Sequence, residues 1–552
     1  MPPAGECADA TVTTGWARTV SARVIETDVC IIGSGITAAM VAEKLADERN
    51  VRVVVVEAGD DMPPVQDWYR LRRRFLDYGE NPWPSDHLDD ASVDGIQSRS
   101  MGLGGLAMHW GGVTPRFSPE DFQLKSTCGV GDDWPITYDD LDPFYQEAEE
   151  RMGVSGEQGP PEIDPRGKPF PMPKLPLSYN LEKLHGWVTA AGIPMWSQPS
   201  AKNSVPYKGR SACCRNDTCT PICPVGAKYS PDSTWRALRS ANRITLLTRT
   251  LVRRLVPAVG SDRIEVAQAV SRDRPSEPVE IRARTFVVAG GYVWTPHLLL
   301  LSSSTRFPNG LANKSGLVGK YLTGHRNVSG FVSLPLKLYP GLNEQHSLVS
   351  KQFMRRPRYD RYLRHDLRVW ESAVDKGPRL RNDAGELMLG DAIMADWRQR
   401  TQTGTARVRC YYDVIPARES ELTLDSTRRN AHGDPLPKLS WRDADVSREN
   451  RAWSEEQIKA LFESLARAGN GRLLRTASDS FQDHPAGGCR MGRDASTGVV
   501  DSWGRAFEHE NLFLVGAPTM VSGSCANGTL TFCALSLRSA AEIGKEFAQR
   551  RA

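Results

Sequence analysis

The segment that decides the fold reads VIETDVCIIGSGITAAMVAEKLADERNVRVVVVEAGD and spans residues 24–60. It begins with a continuous apolar run, which is typical of a parallel strand buried on both faces. A glycine-rich turn, an alanine-rich amphipathic helix and a valine-rich second strand follow. This strand–turn–helix–strand order predicts the first unit of a Rossmann-like α/β fold.

The turn has the spacing Gly33-x-Gly35-x-x-Ala38. Gly33 permits the tight turn, Gly35 lets the backbone approach a pyrophosphate at the helix N-terminus, and Ala38 keeps the helix close to the strand. Glu57 ends the next strand, where a carboxylate can accept hydrogen bonds from a ribose 2′-hydroxyl. Together these residues predict a bound adenine dinucleotide. The motif leaves open whether that dinucleotide is FAD or NAD.

The composition is that of an ordinary globular protein. Of the 552 residues, 40% are hydrophobic and 25% are charged, which excludes a disordered, coiled-coil or collagen-like chain. The net charge of +4 is too small for a nucleic-acid coat or a polybasic membrane anchor. No uninterrupted apolar run is long enough for a spanning helix. We therefore expect no nucleic-acid partner and no direct membrane span.

A second glycine-rich stretch, GLGGLAMHWGG, occupies residues 102–112. Because glycine has no side chain, such a loop can press its backbone against a flat ring system. The stretch also contains His109. A packed histidine with satisfied hydrogen bonds is the alternative interpretation of that residue, and the sequence leaves both open.

Two polar residues stand out near the C-terminus. The block HPAGGCRMG begins at His484, and the block NGTLT begins at Asn527 and leads into an apolar helix. A histidine with an ordinary pKa near 6.5 is a suitable base for an alcohol proton near neutral pH. An asparagine can hydrogen-bond the same oxygen. On its own this pair is a weak signal, and it gains meaning from the other motifs.

Four of the 11 cysteines lie in one short loop, CCRNDTCTPICPVGAKY, which begins at Cys213. Thiolates are ligands for soft metals, so an iron–sulfur cluster or zinc is the candidate. The paired C-x₂-C spacing of structural zinc sites is absent from the loop. The last cysteine precedes a proline, as in some ferredoxin motifs. Local disulfides or unreactive thiols remain the alternative.

Together with FVVAGGYVWTPHLLLLS at residues 286–302, these motifs resemble the glucose–methanol–choline (GMC) oxidoreductase family over nearly the whole chain. Members of that family bind FAD in a split nucleotide domain and oxidise alcohols. The resemblance implies an α/β fold in which a Rossmann-like FAD-binding domain is interleaved with an α+β substrate domain built on an antiparallel sheet.

We expect this architecture to divide the chain into five parts. The FAD-binding domain comprises residues 24–125, 207–324 with the iron–sulfur loop, and 481–552 with the catalytic histidine and asparagine. The substrate domain comprises residues 126–206 and 325–480. A proline-rich stretch at 156–206 is expected to be an extended linker.

The resemblance also implies roles for individual residues. His484 is then the catalytic base and Asn527 its partner. The cofactor-binding residues are Gly33, Gly35, Ala38, Glu57, Gly104, Gly105, His109, Gly516, Ala517 and Thr529. In the pyranose oxidases the histidine before the tryptophan of the flavin loop is covalently joined to FAD. His109 matches that position, so a covalent flavin and simple packing are both open.

The sequence departs from the family pattern at a few positions near the flavin. Leu106 and Ala107 stand where small hydroxyl residues are common, and Gly528 stands where proline is usual.

The cysteine loop is similar to that of the bacterial membrane-linked sugar dehydrogenases of this family, which include glucose, fructose and gluconate dehydrogenases. Glycoside 3-dehydrogenases are further similar proteins. The resemblance implies a [3Fe–4S] cluster ligated by Cys213, Cys219 and Cys223. Cys214 is the alternative to its neighbour as a ligand.

We therefore expect an FAD-dependent dehydrogenase that oxidises a sugar or glycoside hydroxyl to the keto sugar or lactone. Its electrons would pass through the cluster to an external acceptor such as cytochrome c. An oxygen-using pyranose or glycoside oxidase is one alternative, and a flavin-binding electron-transfer subunit without alcohol chemistry is another. The similar dehydrogenases imply a small accessory subunit. The N-terminal stretch has no signal-peptide pattern, so we expect co-export to the periplasm with a partner, or a cytoplasmic location.

Overall fold

The computed structural model describes residues 22–47, 51–83, 100–215, 219–339, 346–355, 360–372, 377–479 and 483–549. The expectation about an export signal concerns residues 1–21, which lie outside this part of the chain.

The described residues form eleven α-helices and eighteen β-strands. The helices are α1 (Ile36–Asp47), α2 (Trp68–Tyr78), α3 (Leu124–Cys128), α4 (Tyr138–Met152), α5 (Tyr179–Ala190), α6 (Pro231–Ser240), α7 (Gly291–Leu301), α8 (Gln352–Arg355), α9 (Asp391–Thr401), α10 (Asp445–Ala468) and α11 (Thr529–Gln549). The strands are β1 (Arg23–Ile32), β2 (Val53–Val56), β3 (Ser155–Gly156), β4 (Met172–Pro173), β5 (Trp196–Ser197), β6 (Thr245–Leu247), β7 (Thr250–Pro257), β8 (Ile264–Ser271), β9 (Pro278–Val288), β10 (Thr323–Leu334), β11 (Leu348–Ser350), β12 (Leu367–Glu371), β13 (Gly404–Asp413), β14 (Glu421–Arg429), β15 (Pro435–Ser440), β16 (Arg472–Ser478), β17 (Asp483–Ala486) and β18 (Leu512–Leu514).

The first sheet is the Rossmann-like part predicted from the sequence. Its seven strands have the order β6-β2-β1-β9-β8-β7, with β18 paired to the end of β9. The strands β6, β2, β1, β9 and β18 are parallel, and β7 and β8 pair antiparallel at the other edge. All four residues of β2 are buried, because helices cover both faces of a parallel sheet.

Helix α1 connects β1 to the rest of this domain and begins at the predicted position, Ile36. Its alanine-rich face packs against α11 in one apolar cluster. Ala38 has no exposed surface, in agreement with the predicted close approach of helix and strand.

The second sheet is antiparallel and has the order β16-β10-β13-β12-β11-β5, with β17 paired to β10. One face packs against α5 and α10, with Val328 and Val408 from the sheet and Phe462 from α10 in the same core. The other face carries polar, cationic and aromatic side chains from β10, β12 and β13. This sheet corresponds to the antiparallel sheet expected for the substrate domain.

The expectation of an extended linker at residues 156–206 is wrong for its middle part. Helix α5 lies there, and the Ser178 hydroxyl caps it by accepting a hydrogen bond of 3.3 Å from the Leu181 backbone N–H. Leu184 and Trp187 are buried from this helix against the second sheet. The surrounding prolines obscured a short amphipathic helix, because its stability comes from tertiary packing.

Short C-terminal elements bring the two sheets together. Strand β17 pairs with β10, and the register shifts between Thr323 and His325. His484 in β17 has φ of +50°, a left-handed conformation that non-glycine residues seldom adopt and that costs about 1–3 kcal/mol. Helix α11 begins two residues after Asn527. Among the helices of the described residues, none combines the length and apolar character needed to cross a bilayer.

Candidate active site

A cavity of about 930 Å³ lies between the two sheets. The predicted site residues that line it are Gly33, Gly35, Glu57, Gly105, His109, His484, Ala517, Asn527 and Thr529. The structure thus brings the N-terminal glycine loop, the second glycine-rich stretch and the C-terminal pair to one space. The predicted residues Ala38, Gly104 and Gly516 do not line this cavity.

The first glycine loop has the geometry that a pyrophosphate requires. Gly33 has φ of +98°, and a Cβ there would lie 2.7 Å from the carbonyl oxygen of Ala289. A Cβ on Gly35 would meet no protein atom within 4 Å, so this backbone faces open space in the cavity. The first turn of α1 contains no acidic residue. The loop and the helix N-terminus therefore fit the diphosphate of a dinucleotide.

Glu57 lies at the end of β2 and is held by the chain itself. Its carboxylate accepts hydrogen bonds from the backbone N–H of Ser34 (3.0 Å), the hydroxyl of Ser34 (2.6 Å) and the backbone N–H of Gly59 (2.8 Å). Burial raises the pKa of Glu57, and these donors oppose that effect. Its role toward a ribose stays a prediction.

Sequence reasoning missed Ser34, which joins the two glycine loops. Its hydroxyl oxygen accepts a hydrogen bond of 3.1 Å from the backbone N–H of Gly104. A Cβ on Gly105 would lie 3.4 Å from Cα of Gly35, and a Cβ on Gly516 would lie 2.4 Å from Cγ2 of Thr37. The contact at Gly516 leaves no room for a side chain, whereas at Gly105 the positive φ of +57°, rather than the spacing, favours glycine.

His109 lies on the cavity wall. Its ring packs edge-on against Trp83, with 6.2 Å between the ring centres. This position would allow a covalent bond between His109 and a flavin in the cavity. The covalent bond itself stays a prediction.

The predicted catalytic pair is in contact. The side-chain nitrogen Nδ2 of Asn527 lies 2.7 Å from Nε2 of His484. On the other side of the ring, Nδ1 of His484 lies 2.9 Å from Nε2 of His325. Nδ1 of His325 lies 3.0 Å from the carbonyl oxygen of Ser524. These four residues form one hydrogen-bonded chain that ends at the cavity.

The carbonyl oxygen of Ser524, at the end of this hydrogen-bonded chain, determines which nitrogen of each histidine ring carries a proton. The Ser524 oxygen can only accept, so Nδ1 of His325 carries a proton and, in the neutral ring, Nε2 does not. Nε2 of His325 then accepts from Nδ1–H of His484. This leaves Nε2 of His484 with a lone pair, to which the Asn527 amide donates.

The surroundings keep both histidines neutral. Burial and the positive charges of Arg368 and Arg409 lower the pKa of His484 from 6.5 to about 3. Burial, the neighbouring His484 and the same arginines lower the pKa of His325 well below its ordinary value. Nε2 of His484 is therefore available as a base across the physiological range.

The substrate sheet supplies residues that sequence reasoning did not find. His325 lies in β10, and Tyr411 in β13 packs edge-on against His484, with ring centres 5.7 Å apart. Arg368 and Arg409 are opposite each other on β12 and β13. These residues reach the site only through the register in which β10, β12 and β13 pair, so no local sequence motif could identify them.

Asn527 also has an unsatisfied acceptor. Its Oδ1 atom is buried and has no hydrogen-bond partner among the described residues. A buried polar atom without a partner costs free energy, which a bound group can relieve. Together with the open space at Gly35, this fits a cavity built around a dinucleotide and a hydroxylated substrate.

The cysteine loop lies directly beneath the second glycine-rich stretch. Nζ of Lys228 donates to the carbonyl oxygens of Met108 (3.2 Å), Trp110 (2.7 Å) and Cys219 (2.7 Å). Burial lowers the pKa of Lys228 to about 8, and the thiols of Cys219 and Cys223 oppose this shift.

The predicted cluster ligands differ in exposure. Cys219 and Cys223 are buried, Cys213 is partly exposed and Cys214 is exposed, and none of the described cysteines forms a disulfide. Thiols suit a soft metal. However, within the described part of the chain no three histidine, cysteine or acidic side chains form a group that could hold a metal ion. The arrangement therefore does not assemble the predicted ligand set.

Comparison with known proteins accounts for this combination of loops and sheets. Two family models, both described as GMC oxidoreductase, match residues 190–327 and 416–536. The fructose dehydrogenase large subunit of Gluconobacter japonicus is 30% identical over 96% of this chain and 100% of its own length. The chain belongs to the GMC oxidoreductase family.

Other relatives include both oxidases and dehydrogenases. The 6′′′-hydroxyparomomycin C oxidase of Streptomyces lividus is 30% identical over 95% of this chain and 92% of its own length. The pyridoxine 4-oxidase structure from "Mesorbium loti" superposes with a TM-score of 0.60 at 16% identity, covering 94% of this chain and 99% of that one. The last likeness concerns the fold alone.

As a member of this family, the protein is an oxidoreductase. Family membership also supports FAD as the bound dinucleotide, a choice between FAD and NAD that the glycine motif left open. The predicted family and GMC fold are confirmed.

Proposed function

We propose that this GMC protein is an FAD-dependent dehydrogenase that oxidises a hydroxyl group of a sugar or glycoside to the ketone or lactone. The observation that carries the proposal is the His484–Asn527 contact in the same cavity as the dinucleotide loop. The fructose dehydrogenase and gluconate 2-dehydrogenase relatives support a polyhydroxylated substrate.

In this proposal His484 removes the hydroxyl proton. A substrate hydroxyl can donate to Nε2 once it takes the place of the Asn527 amide there, and the hydrogen bond from Nδ1 to His325 keeps the Nε2 lone pair available. The displaced Asn527 amide can then donate an N–H to the substrate oxygen. Bound FAD supplies the two-electron acceptor for the hydride from the substrate carbon.

Two arginines near His484 influence where the abstracted proton goes. Once His484 becomes an imidazolium, Arg368 and Arg409 disfavour its charge. The proton is therefore released readily, and His325 is a poor acceptor for it, because protonation of Nε2 would turn His325 into an imidazolium that burial and the same arginines disfavour. We expect the proton to leave through the cavity.

We further propose that Cys213, Cys219 and Cys223, with Cys214 as the alternative ligand, would hold a [3Fe–4S] cluster, for which the loop would have to draw its thiols closer together than they lie among the described residues. When bound, such a cluster would supply one-electron transfer to an external acceptor such as cytochrome c. Support comes from the burial of two of the thiols and from Lys228, which joins this loop to the stretch that contains His109.

The proposal also extends to partners and location. One relative is called a large subunit, which supports an assembly with a small accessory subunit and an electron-accepting subunit. Co-export to the periplasm with such a partner, or a cytoplasmic location, both stay open proposals.

An oxygen-using oxidase is the second candidate, because two relatives at 30% identity are named as oxidases. In that case the cysteine loop has no redox role. Iron and acid-labile sulfide in the purified holoenzyme, and their loss in C219S but not in the control C128S, support the dehydrogenase. Absence of iron together with rapid peroxide formation supports the oxidase.

The decisive test of the main proposal is anaerobic stopped-flow reduction of the flavin with a panel of sugars and glycosides, followed by product identification. We expect at least one sugar to bleach the flavin and to yield a keto sugar or lactone. If no sugar or glycoside reduces the flavin, the sugar-dehydrogenase proposal is wrong.

A further inference from the structure

One face of the antiparallel sheet carries a row of alternating arginine and aromatic side chains that begins beside His484. In order from that histidine, this arginine–aromatic row comprises Tyr411, Arg409, Trp370, Arg407 and Phe331. The guanidinium carbon of Arg409 lies 4.4 Å from the centre of the Tyr411 ring and 5.0 Å from that of Trp370. That of Arg407 lies 5.1 Å from Trp370 and 5.5 Å from Phe331.

The strand register places this row on the face opposite the core. In β13, residues 407, 409 and 411 alternate with Ala406, Val408 and Cys410, which are fully buried in the core with α5 and α10. Trp370 is the cross-strand partner of Arg407, and Phe331 is its partner on the other side. The row therefore lies on the side of the sheet that carries His325.

The two arginines of the row have no carboxylate partner among the described residues. By contrast, Arg368 binds Asp366 at 2.6 Å, with both side chains almost fully buried. Arg407 donates from Nη2 to the Ser329 hydroxyl at 3.1 Å. In both Arg407 and Arg409 the Nε atom is buried and lacks a hydrogen-bond partner.

The acidic groups on this side attract the two arginines only from a distance, Asp483 acting on Arg409 and Asp479 on Arg407, and neither forms a salt bridge with them among the described residues. Asp479 and Asp483 both accept hydrogen bonds from the Asn327 amide, at 2.5 and 3.0 Å. Two partly buried guanidinium groups without a direct carboxylate contact, each with an unpartnered buried Nε, are costly to the folded state. Such a cost is expected where an external anion completes the site.

We propose that the arginine–aromatic row binds an oxyanion, a carboxylate or a phosphate, on the sugar ring next to the one that is oxidised. This inference rests on the proposed sugar oxidation at His484. Guanidinium groups bind carboxylates and phosphates through paired hydrogen bonds, and the rings of Trp370 and Phe331 offer flat surfaces for the apolar face of a sugar.

Strand geometry gives the length of such a substrate. At about 3.4 Å per residue, Arg409 and Arg407 lie about 7 and 14 Å along the strand from Tyr411, which contacts His484. The anion therefore sits beyond the ring that carries the reacting hydroxyl. A positively charged amino sugar at that position is disfavoured.

The test compares flavin reduction in the holoenzyme by matched disaccharides. The set has a neutral member, a uronic acid member, a phosphorylated member and an amino sugar member. The variants are R407Q, R409Q and R409K, with R398Q on the exposed face of α9 as the matched control. The readout is the ratio of the apparent second-order rate constants for anionic and neutral members.

We expect the wild-type protein to prefer one anionic member over the neutral member by at least about tenfold, since hydrogen bonds to charged groups contribute on that scale. R407Q and R409Q reduce that preference by about tenfold or more, R409K reduces it less, and R398Q retains it. The preference also falls with rising salt concentration.

The preferred substrate identifies the anion. A preference for the uronic acid assigns a carboxylate, and a preference for the phosphorylated sugar assigns a phosphate. A wild-type protein that prefers the neutral or the amino sugar, or an R409Q variant that loads FAD and keeps the anionic preference, overturns the inference and leaves sugar oxidation standing. If no sugar of any charge reduces the flavin, the proposed function and this inference fall together.

Discussion

Nδ1 of His484 lies 2.9 Å from Nε2 of His325, and this contact decides which nitrogen of His484 faces the cavity. His325 is itself oriented by the carbonyl oxygen of Ser524. The base of the proposed reaction thus depends on a residue of the substrate sheet, which lies 159 positions away in the chain. Three consequences of this arrangement, and one of the glycine loop at residues 33–35, can be measured.

Replacing Asn527 with alanine removes the amide that donates to Nε2 of His484 at 2.7 Å. We expect the rate constant for flavin reduction to fall about 10- to 100-fold, because one hydrogen bond to the reacting groups is lost. Stopped-flow reduction measures the effect, with N382A in an exposed loop as the control. An unchanged rate in N527A with full FAD content would rule out a positioning role.

Replacing His325 with leucine removes the acceptor for Nδ1–H of His484. We expect flavin reduction to slow about 10- to 100-fold because the tautomer of His484 is no longer fixed. In H325Q the side-chain oxygen can accept from His484 and the amide can donate to Ser524, so this variant recovers much of the rate. H185Q is the control. If H325Q and H325L are equally slow, His325 acts by packing alone.

The pH dependence of flavin reduction reports the pKa of His484. As the pH falls through that pKa, Nε2 gains a proton and stops acting as a base. With a pKa of about 3, the rate with a neutral sugar should stay level from pH 8 down to at least about pH 5. In R409Q a positive charge is lost, so the pKa rises and the acidic fall moves to higher pH. A fall near pH 6.5 in the wild-type protein contradicts this account.

Gly33 and Gly35 should respond differently to the same substitution. In G33A the new Cβ meets the Ala289 carbonyl at 2.7 Å and φ is +98°, so we expect a loss of about 1–3 kcal/mol in the free energy of unfolding. In G35A the Cβ points into open space, so the protein folds normally but binds FAD at least about tenfold more weakly.

Thermal unfolding of the apoprotein and titration with FAD separate these two effects. G186A in α5, where a Cβ also meets no atom within 4 Å, is the control for a harmless added methyl group. A G35A variant that binds FAD as tightly as the wild-type protein would show that this backbone does not face the pyrophosphate.

The part of the fold with local signals was predictable from sequence. The β1–α1–β2 unit, with α1 at Ile36–Asp47, follows from an apolar strand, a glycine turn and an alanine-rich helix, all of which are short-range patterns. His484 and Asn527 stand in distinctive blocks, so they too could be named in advance. Their contact across 43 positions could be expected from the family resemblance.

The remaining parts depend on long-range pairing. His325 and Arg409 stand in strands whose sequences have no distinctive motif, and only the register of β10 and β13 brings them near His484. Helix α5 was hidden by flanking prolines. The cysteine loop shows the reverse. Its cysteine spacing is distinctive in the sequence, but the described structure does not bring three thiols into one metal-binding group.

The central claim is that His484 is the base for oxidation of a sugar hydroxyl. The most direct measurement is anaerobic flavin reduction by a sugar that reduces the wild-type protein, compared with H484A at matched FAD content. The account predicts that H484A is at least about 100-fold slower while its flavin spectrum is retained. Reduction of H484A at the wild-type rate would contradict the account.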